Sequence, residues 1–311
     1  MPFTEIPWLT VLLCCLVSVF ASPVPVDVQH EARDEVITLS SAQVASFRPY
    51  TYFAAVAYCE PSVTLAWTCG AKCDASSGFT TTASGGDGGD TQFWYVGYDP
   101  SLNTVVVAHQ GTDIDNIEAI LVDADFFQDE LDQTLFPGVD TSIKVHNGFS
   151  EAHARAAPDV LAAVQTTLAD HSGASVTTTG HSLGAALALL DAVYLPLHLP
   201  SSTVFRTIGY GMPRVGNQEF ADYVDTHVTF SGGGLSRINN QKDPVPILPG
   251  RGLGFHHPSG EIHIQESNAW DACPGQDNTD ERCTVGTVPN IFVSDADDHS
   301  GPYDSIVMEC T

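Results

Sequence analysis

Residues 175–193 leave this chain few folds to choose from. Ser175-Val-Thr-Thr-Thr179 is a short β-branched run that reads as a strand. Leu183–Val193 is an apolar, Ala-rich stretch that reads as a buried helix. Between them stands only Gly180-His181-Ser182-Leu183-Gly184. A strand that turns directly into a helix around one serine projects the serine Oγ from the edge of the sheet. Glycines two residues before and two after it let strand and helix pack closely. The helix N-terminus then offers free N–H groups and a positive dipole end to an oxyanion formed beside the serine. A bare G-x-S-x-G string recurs by chance, and such a serine can be no more than an N-cap. Its place between strand and helix is what marks Ser182 as a nucleophile.

The neighbouring segments extend the pattern. Phe93–Tyr98 and Thr104–His109 read as strands joined by the Asp99-Pro100 turn, Glu151–Ala169 as a helix, and Val204–Tyr210 and Leu235–Asn239 as further strands. This alternation predicts an α/β fold, a mostly parallel, doubly wound sheet with right-handed crossovers and helices on both faces. Ahead of it, Ser41–Cys59 has helical spacing interrupted by Pro49, which predicts two short helices. Gly85-Gly-Asp-Gly-Gly-Asp90 has the composition of a calcium loop without its repeat, so it reads as a hairpin-leading loop. With no internal repeat and no dividing linker, residues 41–311 form one expected domain.

A serine at neutral pH needs a base, and the base needs an acid that fixes its tautomer. Asp243, in Asn239-Asn-Gln-Lys-Asp-Pro-Val-Pro246, follows a strand directly and its prolines fix the loop, although an aspartate before proline also serves as a plain turn residue. Of the histidines beyond it, His256 and His257 come too soon for the chain to cross the sheet and return. His263 alternates with Glu261 inside a strand. His299 occupies a late polar loop, Asp295–Tyr303, ahead of an expected helical tail anchored by Cys310. The triad expected here is therefore Ser182, Asp243 and His299. The oxyanion donors would be the N–H groups of Leu183 and of the Gln110-Gly111-Thr112 segment, where Thr112 adds a hydroxyl and the alternative is a simple β-turn. The His256, His257, Glu261 and His263 group could in principle hold zinc, but strand packing explains it more simply, so no metal and no organic cofactor are expected.

Composition limits the partners. Lys and Arg number 11 against 38 Asp and Glu, a formal charge of −27, which excludes the basic patch that nucleic acid requires. The apolar run Trp8–Ala21 is too short to span a membrane but suits a signal peptide over 1–21, with Val19 and Ala21 before a cut at Ser22. Glu5 stands where a basic residue is usual, and a buried N-terminal helix is the rival. Residues 22–40 read as a Pro-rich flexible leader or pro-segment. Export leaves six cysteines, Cys59, Cys69, Cys73, Cys273, Cys283 and Cys310, which allow fifteen pairings. Local closure favours Cys69 with Cys73 and Cys273 with Cys283, leaving Cys59 for Cys310. A secreted monomer without a stable membrane anchor is expected.

Taken in order, Val105-Val-Val-Ala-His-Gln-Gly-Thr112, Gly180-His-Ser-Leu-Gly184, Gly209–Asn217, Lys242-Asp-Pro-Val-Pro246, His257-Pro-Ser-Gly-Glu261 and Asp298-His299 resemble the fungal class 3 lipase family of secreted α/β-hydrolases, basidiomycete-type triacylglycerol lipases in particular. The resemblance covers about residues 45–311. It implies Ser182, Asp243 and His299 as triad, Thr112 and Leu183 as oxyanion hole, and the same three disulfides. It also implies a short helical lid, here Asp113–Phe127, with Ile117, Ile120 and Leu121 at helical spacing. A plain amphipathic surface helix is the alternative for that segment. The acidity of the lid sets it against anionic membranes, so a neutral acylglycerol surface at a lipid–water interface fits better. Departures are Gln110-Gly111 in place of an Arg-Gly pair and Ser300-Gly-Pro302 after the histidine. The expected function is a serine carboxylic ester hydrolase, a lipase acting on acylglycerols. The alternatives are a feruloyl or other soluble-substrate carboxylesterase and a catalytically silent binding protein on the same scaffold.

Overall fold

Val105, Val106, Val107 and Ala108 are all fully buried, so the strand that holds them must be covered on both faces. That strand lies inside a sheet of nine strands among the described residues. The computed structural model describes residues 1, 35–112 and 127–310. The expected signal peptide, most of the leader and the lid residues Ile117, Ile120 and Leu121 lie outside the described residues. The strands are β1 (Ile37–Thr38), β2 (Thr80–Gly85), β3 (Trp94–Asp99), β4 (Thr104–His109), β5 (Gln128–Glu130), β6 (Lys144–His146), β7 (Ser175–His181), β8 (Phe205–Tyr210), β9 (Leu235–Asn240), β10 (Glu261–Ile264) and β11 (Trp270–Cys273). The large sheet runs β1-β11-β10-β9-β8-β7-β4-β3-β2, and β5 pairs with β6 apart from it. Its five central strands, β10, β9, β8, β7 and β4, are parallel, with antiparallel strands at both margins.

Alternation along the strands divides the core in two. Val105 and Val107 face the helices Asn147–Asp170 and Leu183–Tyr194, where they pack with Val160, Val164, Ala185 and Leu189. Val106 and Ala108 face the opposite way, toward Phe53, Ala54 and Val56 of the helix Arg48–Val56. The helix Leu183–Tyr194 is buried at every position from Gly184 to Tyr194. That explains why it is apolar all round rather than on one stripe.

The boundaries differ from expectation in three places. β7 continues to His181 and the helix starts at Leu183, so Ser182 alone makes the turn. Residues ahead of Ser41 join the fold: Ile37 and Thr38 pair with β11, and the Leu39 N–H donates to the Trp270 carbonyl. The segment after His299 is not helical. Tyr303 and Ile306 bridge instead across Asp304 and Ser305, both at positive φ, and the Met308 N–H returns to the Ser300 carbonyl. Pro302 removes a donor that a helix there would use.

Candidate functional site

The turn at Ser182 is strained, with φ 58° and ψ −128°, a conformation L-residues rarely adopt. Its N–H donates to the Tyr210 carbonyl at the end of β8, and its carbonyl accepts from Ala185 and Ala186, which starts the helix. The flanking glycines are required by space. A Cβ on Gly180 would lie 2.4 Å from the Gly184 backbone, and one on Gly184 would lie 2.2 Å from the His109 carbonyl oxygen. Strand β7, the helix and the end of β4 thus meet at backbone contact distance around the serine. At the first turn of that helix the N–H groups have no helical acceptors, and Leu183 is its first residue.

Three other strand ends converge on Ser182. β4 leads into Gln110-Gly111-Thr112, and a Cβ on Gly111 would come 3.0 Å from the Ser182 Cβ. Gln110 continues the pairing with the neighbouring strand by giving its N–H to the Phe93 carbonyl and accepting the Phe93 N–H on its side-chain oxygen. β9 leads to Asp243, which is 1% exposed. One of its carboxylate oxygens accepts from the Val245 N–H at 2.8 Å, and the other accepts Nδ1–H of His299 at 2.8 Å. This holds the imidazole by Nδ1 and leaves Nε2 as its second ring nitrogen. That Nε2 is buried and has no hydrogen-bond partner among the described residues. Apo geometry of this kind is common where the base engages its partner only during reaction.

His299 lies on no strand, so its loop is stitched in place. Asn240 donates its side-chain amide to the Asp298 carbonyl, the Lys242 N–H binds the Asp298 carboxylate, and the Asp295 N–H binds the Lys242 carbonyl. His181 reaches the same loop from below. Its Nε2–H donates to the His299 carbonyl at 2.8 Å, which leaves Nδ1 as acceptor for the Tyr58 hydroxyl at 2.6 Å. Burial, and then the nearby His299, hold the His181 imidazole well below its usual pKa, so it stays neutral. The Tyr303 hydroxyl gives the His299 carbonyl a second donor. Sequence reasoning singled out neither tyrosine, since each comes into reach only through tertiary packing. His181 was legible as a member of the pentapeptide.

The structure brings Ser182, Leu183, Gly111, Thr112, Asp243 and His299 to one edge of the sheet. The cysteines form three bridges, Cys59–Cys310, Cys69–Cys73 and Cys273–Cys283. The side chains weighed as zinc ligands have protein partners. His257 Nε2 meets the Pro246 carbonyl, His263 sits between the Arg282 and Gln241 carbonyls, and Glu261 accepts the Thr284 N–H. Glu261 does lie close to Cys273 and Cys283, but those two sulfurs are bonded to each other.

The class 3 lipase family model matches residues 106–253. A secreted mono- and diacylglycerol lipase of Malassezia restricta is 34% identical over 226 residues, 72% of this chain and 69% of that enzyme. One of Malassezia globosa is 35% identical over 201 residues, 64% of this chain and 61% of its own. Among solved structures, lipase II from Rhizopus niveus superposes with a TM-score of 0.76 at 27% identity, over 89% of this chain and 100% of that one. The lipase from Rhizopus microsporus var. chinensis gives 0.76 at 26%, covering 92% and 95%. The α/β-hydrolase architecture is thus shared along most of the chain, and a third of the aligned residues are identical to those of the curated enzymes. On that likeness, the chain belongs to the class 3 lipase family.

Proposed function

We propose that this chain is a secreted serine lipase that hydrolyses acylglycerol esters through an acyl-Ser182 intermediate. The observation that carries the reading is the Asp243–His299 pair at 2.8 Å, set behind a serine in a strained strand-to-helix turn. Ser182 Oγ attacks the ester carbonyl carbon while His299 Nε2 takes its proton. The carbonyl oxygen becomes an oxyanion facing the N–H groups of Leu183 and Thr112. Collapse breaks the bond to the glyceride oxygen, which leaves with the proton from His299. Water then attacks the acyl carbon, gives a proton to the same Nε2, and the carboxylic acid departs as Ser182 regains its proton. Asp243 holds the tautomer and orients the ring throughout.

Acylglycerols are favoured as the ester class because the curated relatives are named for mono- and diacylglycerols. Export agrees with those relatives being named as secreted and with three disulfides. We place the enzyme at a lipid–water interface as a monomer, and no helix among the described residues is long and apolar enough to cross a membrane. The test is initial rate on an acylglycerol emulsion beside dissolved methyl ferulate, with Ser182→Ala as blank. Emulsion hydrolysis that disappears in Ser182→Ala is expected. Full activity in that variant would refute the nucleophile, and preference for the dissolved aryl ester would refute the lipase reading while keeping the hydrolase.

A further inference from the structure

The otherwise apolar helix behind Ser182 carries one carboxylate. Asp191 is completely buried, and both of its partners are histidines from other elements. Its Oδ2 lies 2.6 Å from His109 Nε2 at the end of β4, and its Oδ1 lies 2.9 Å from His153 Nε2 on the helix Asn147–Asp170. All three side chains are 1% exposed or less. The mechanism above uses none of them. Such a group is costly unless it is paired, so an apolar residue would be the default in this helix.

Its position ties together the two donors of the oxyanion site. His109 pairs with Gly180 across β4 and β7, and its carbonyl oxygen touches the backbone at Gly184. Thr112 follows three residues later, and Leu183 opens the helix that holds Asp191. One strand end and one helix are therefore held at two levels, by backbone contact at Gly184 and by the His109–Asp191 bond deeper down. His153 braces the pair from the third element, where its ring packs against Phe136 and Tyr194. Burial pushes the Asp191 carboxyl up, but its contacts with His109, and then with His153, outweigh it and bring the pKa to about 2, so the bridge carries a carboxylate.

We propose that His109, Asp191 and His153 are positioning residues that set the separation of the Thr112 and Leu183 N–H groups, and so govern stabilisation of the oxyanion without touching substrate. This rests on the serine hydrolase reading above. Asp191→Ala removes the bridge, and His109→Asn removes only its strand arm. Asp191→Asn keeps the shape and can bond both rings, because each imidazole has an unpartnered Nδ1 that permits a change of tautomer. On a dissolved short-chain ester, kcat is expected to fall at least tenfold in Asp191→Ala and His109→Asn with KM unchanged. The inhibition constant of an alkyl boronic acid, which mimics the tetrahedral adduct, should rise by the same factor, with Asp191→Asn between them and wild type. Folded variants whose kcat and boronate affinity stay within twofold of wild type would overturn the proposal, as would a loss confined to KM. If Asp191→Ala does not fold, His109→Asn decides. Labelling of wild-type Ser182 by a phosphonate separates the two readings: no labelling defeats the serine mechanism, whereas labelling with indifferent variants defeats only the bridge.

Discussion

Gly211 offers the sharpest test of how the site is packed, because it lies beneath the Asp243–His299 pair. It follows β8, has φ +52°, and gives its N–H to the Ile238 carbonyl. A Cβ there would stand 2.9 Å from His299 Cε1, 2.9 Å from the Tyr303 hydroxyl and 3.0 Å from Asp243 Oδ2. Ordinary contact distances begin near 3.5 Å, so in Gly211→Ala each of these buried atoms must retreat by about half an ångström. The left-handed backbone adds roughly 1–2 kcal/mol for an L-residue, and overpacking adds about 1–3 kcal/mol. The larger effect is on rate. Displacement of a triad ring by up to about 1 Å costs on the order of 100-fold, and complete loss of the orienting carboxylate about 10,000-fold. For a displacement of about half an ångström we expect kcat on a dissolved ester to fall by roughly 10- to 100-fold, short of the loss of the carboxylate itself. Gly173→Ala is the control. It has φ +85° with no atom within 4 Å of its Cβ, so it should lose comparable backbone stability and no activity. A folded Gly211→Ala enzyme with kcat within threefold of wild type would refute the argument, as would an equal loss of rate in Gly173→Ala.

Two further predictions concern stability. The disulfides close sequence separations of 251, 10 and 4 residues, for which chain entropy gives ~5.5, ~2.7 and ~1.9 kcal/mol. Replacing Cys59 and Cys310 by alanine should therefore lower the urea midpoint far more than replacing Cys69 and Cys73, and an equal or reversed order would count against the entropic account. Asp277 is the second case. Burial pushes its carboxyl up, but His257 and Arg214, with the Arg214 hydrogen bond at 2.8 Å, bring it to about 2. Its folded pKa is depressed below an unfolded value near 3.9, so the stabilisation, on the order of 2–3 kcal/mol, is present above about pH 4 and lost as pH falls toward 2. Asp277→Asn should accordingly be less stable than wild type at pH 6, with the gap shrinking to roughly a third by pH 2.5, and a gap independent of pH would refute the assignment.

How much of this was legible in sequence follows from what each part depends on. β4 and the helix after Ser182 announced themselves through continuous burial and local period. The turn at Ser182 followed from glycines whose missing Cβ atoms leave 2.2–2.4 Å of clearance to backbone. Asp243 could be placed because a strand and two prolines bracket it. The Cys59–Cys310 link was legible, but the tail was misread as helical because nothing in Tyr303–Cys310 shows locally that Tyr303 must bridge to Ile306 and donate to the His299 carbonyl. Tyr58, Asn240 and Tyr303 were not legible for the same reason. Tyr58 and Asn240 bond across 123 and 58 residues, whereas Tyr303 bonds only four residues back, in a segment that reads locally as helix. His109 and Asp191 were visible as letters, but their pairing depends on the register of β4 against a helix 82 residues on.

The site is divided between parts the sheet positions and one part it does not. The carboxyl ends of β4, β7, β8 and β9 deliver Gln110–Thr112, Ser182, Gly211 and Asp243, and the parallel pairing fixes their separations. His299 lies on no strand and has no such support. The fold answers with bonds from four directions: Asp243 on the ring, Asn240 and Lys242 on Asp298, His181 on the His299 carbonyl, and Tyr303 on that same oxygen. Two of these trace to one covalent link. Cys59 directly follows Tyr58, which bonds Nδ1 of His181, and Cys310 lies in the tail that carries Tyr303. The longest disulfide therefore closes the ring of contacts around His299 as well as the chain. Its removal should weaken the mount of His299 in molecules that remain folded, whereas removal of Cys69–Cys73 should leave that mount intact.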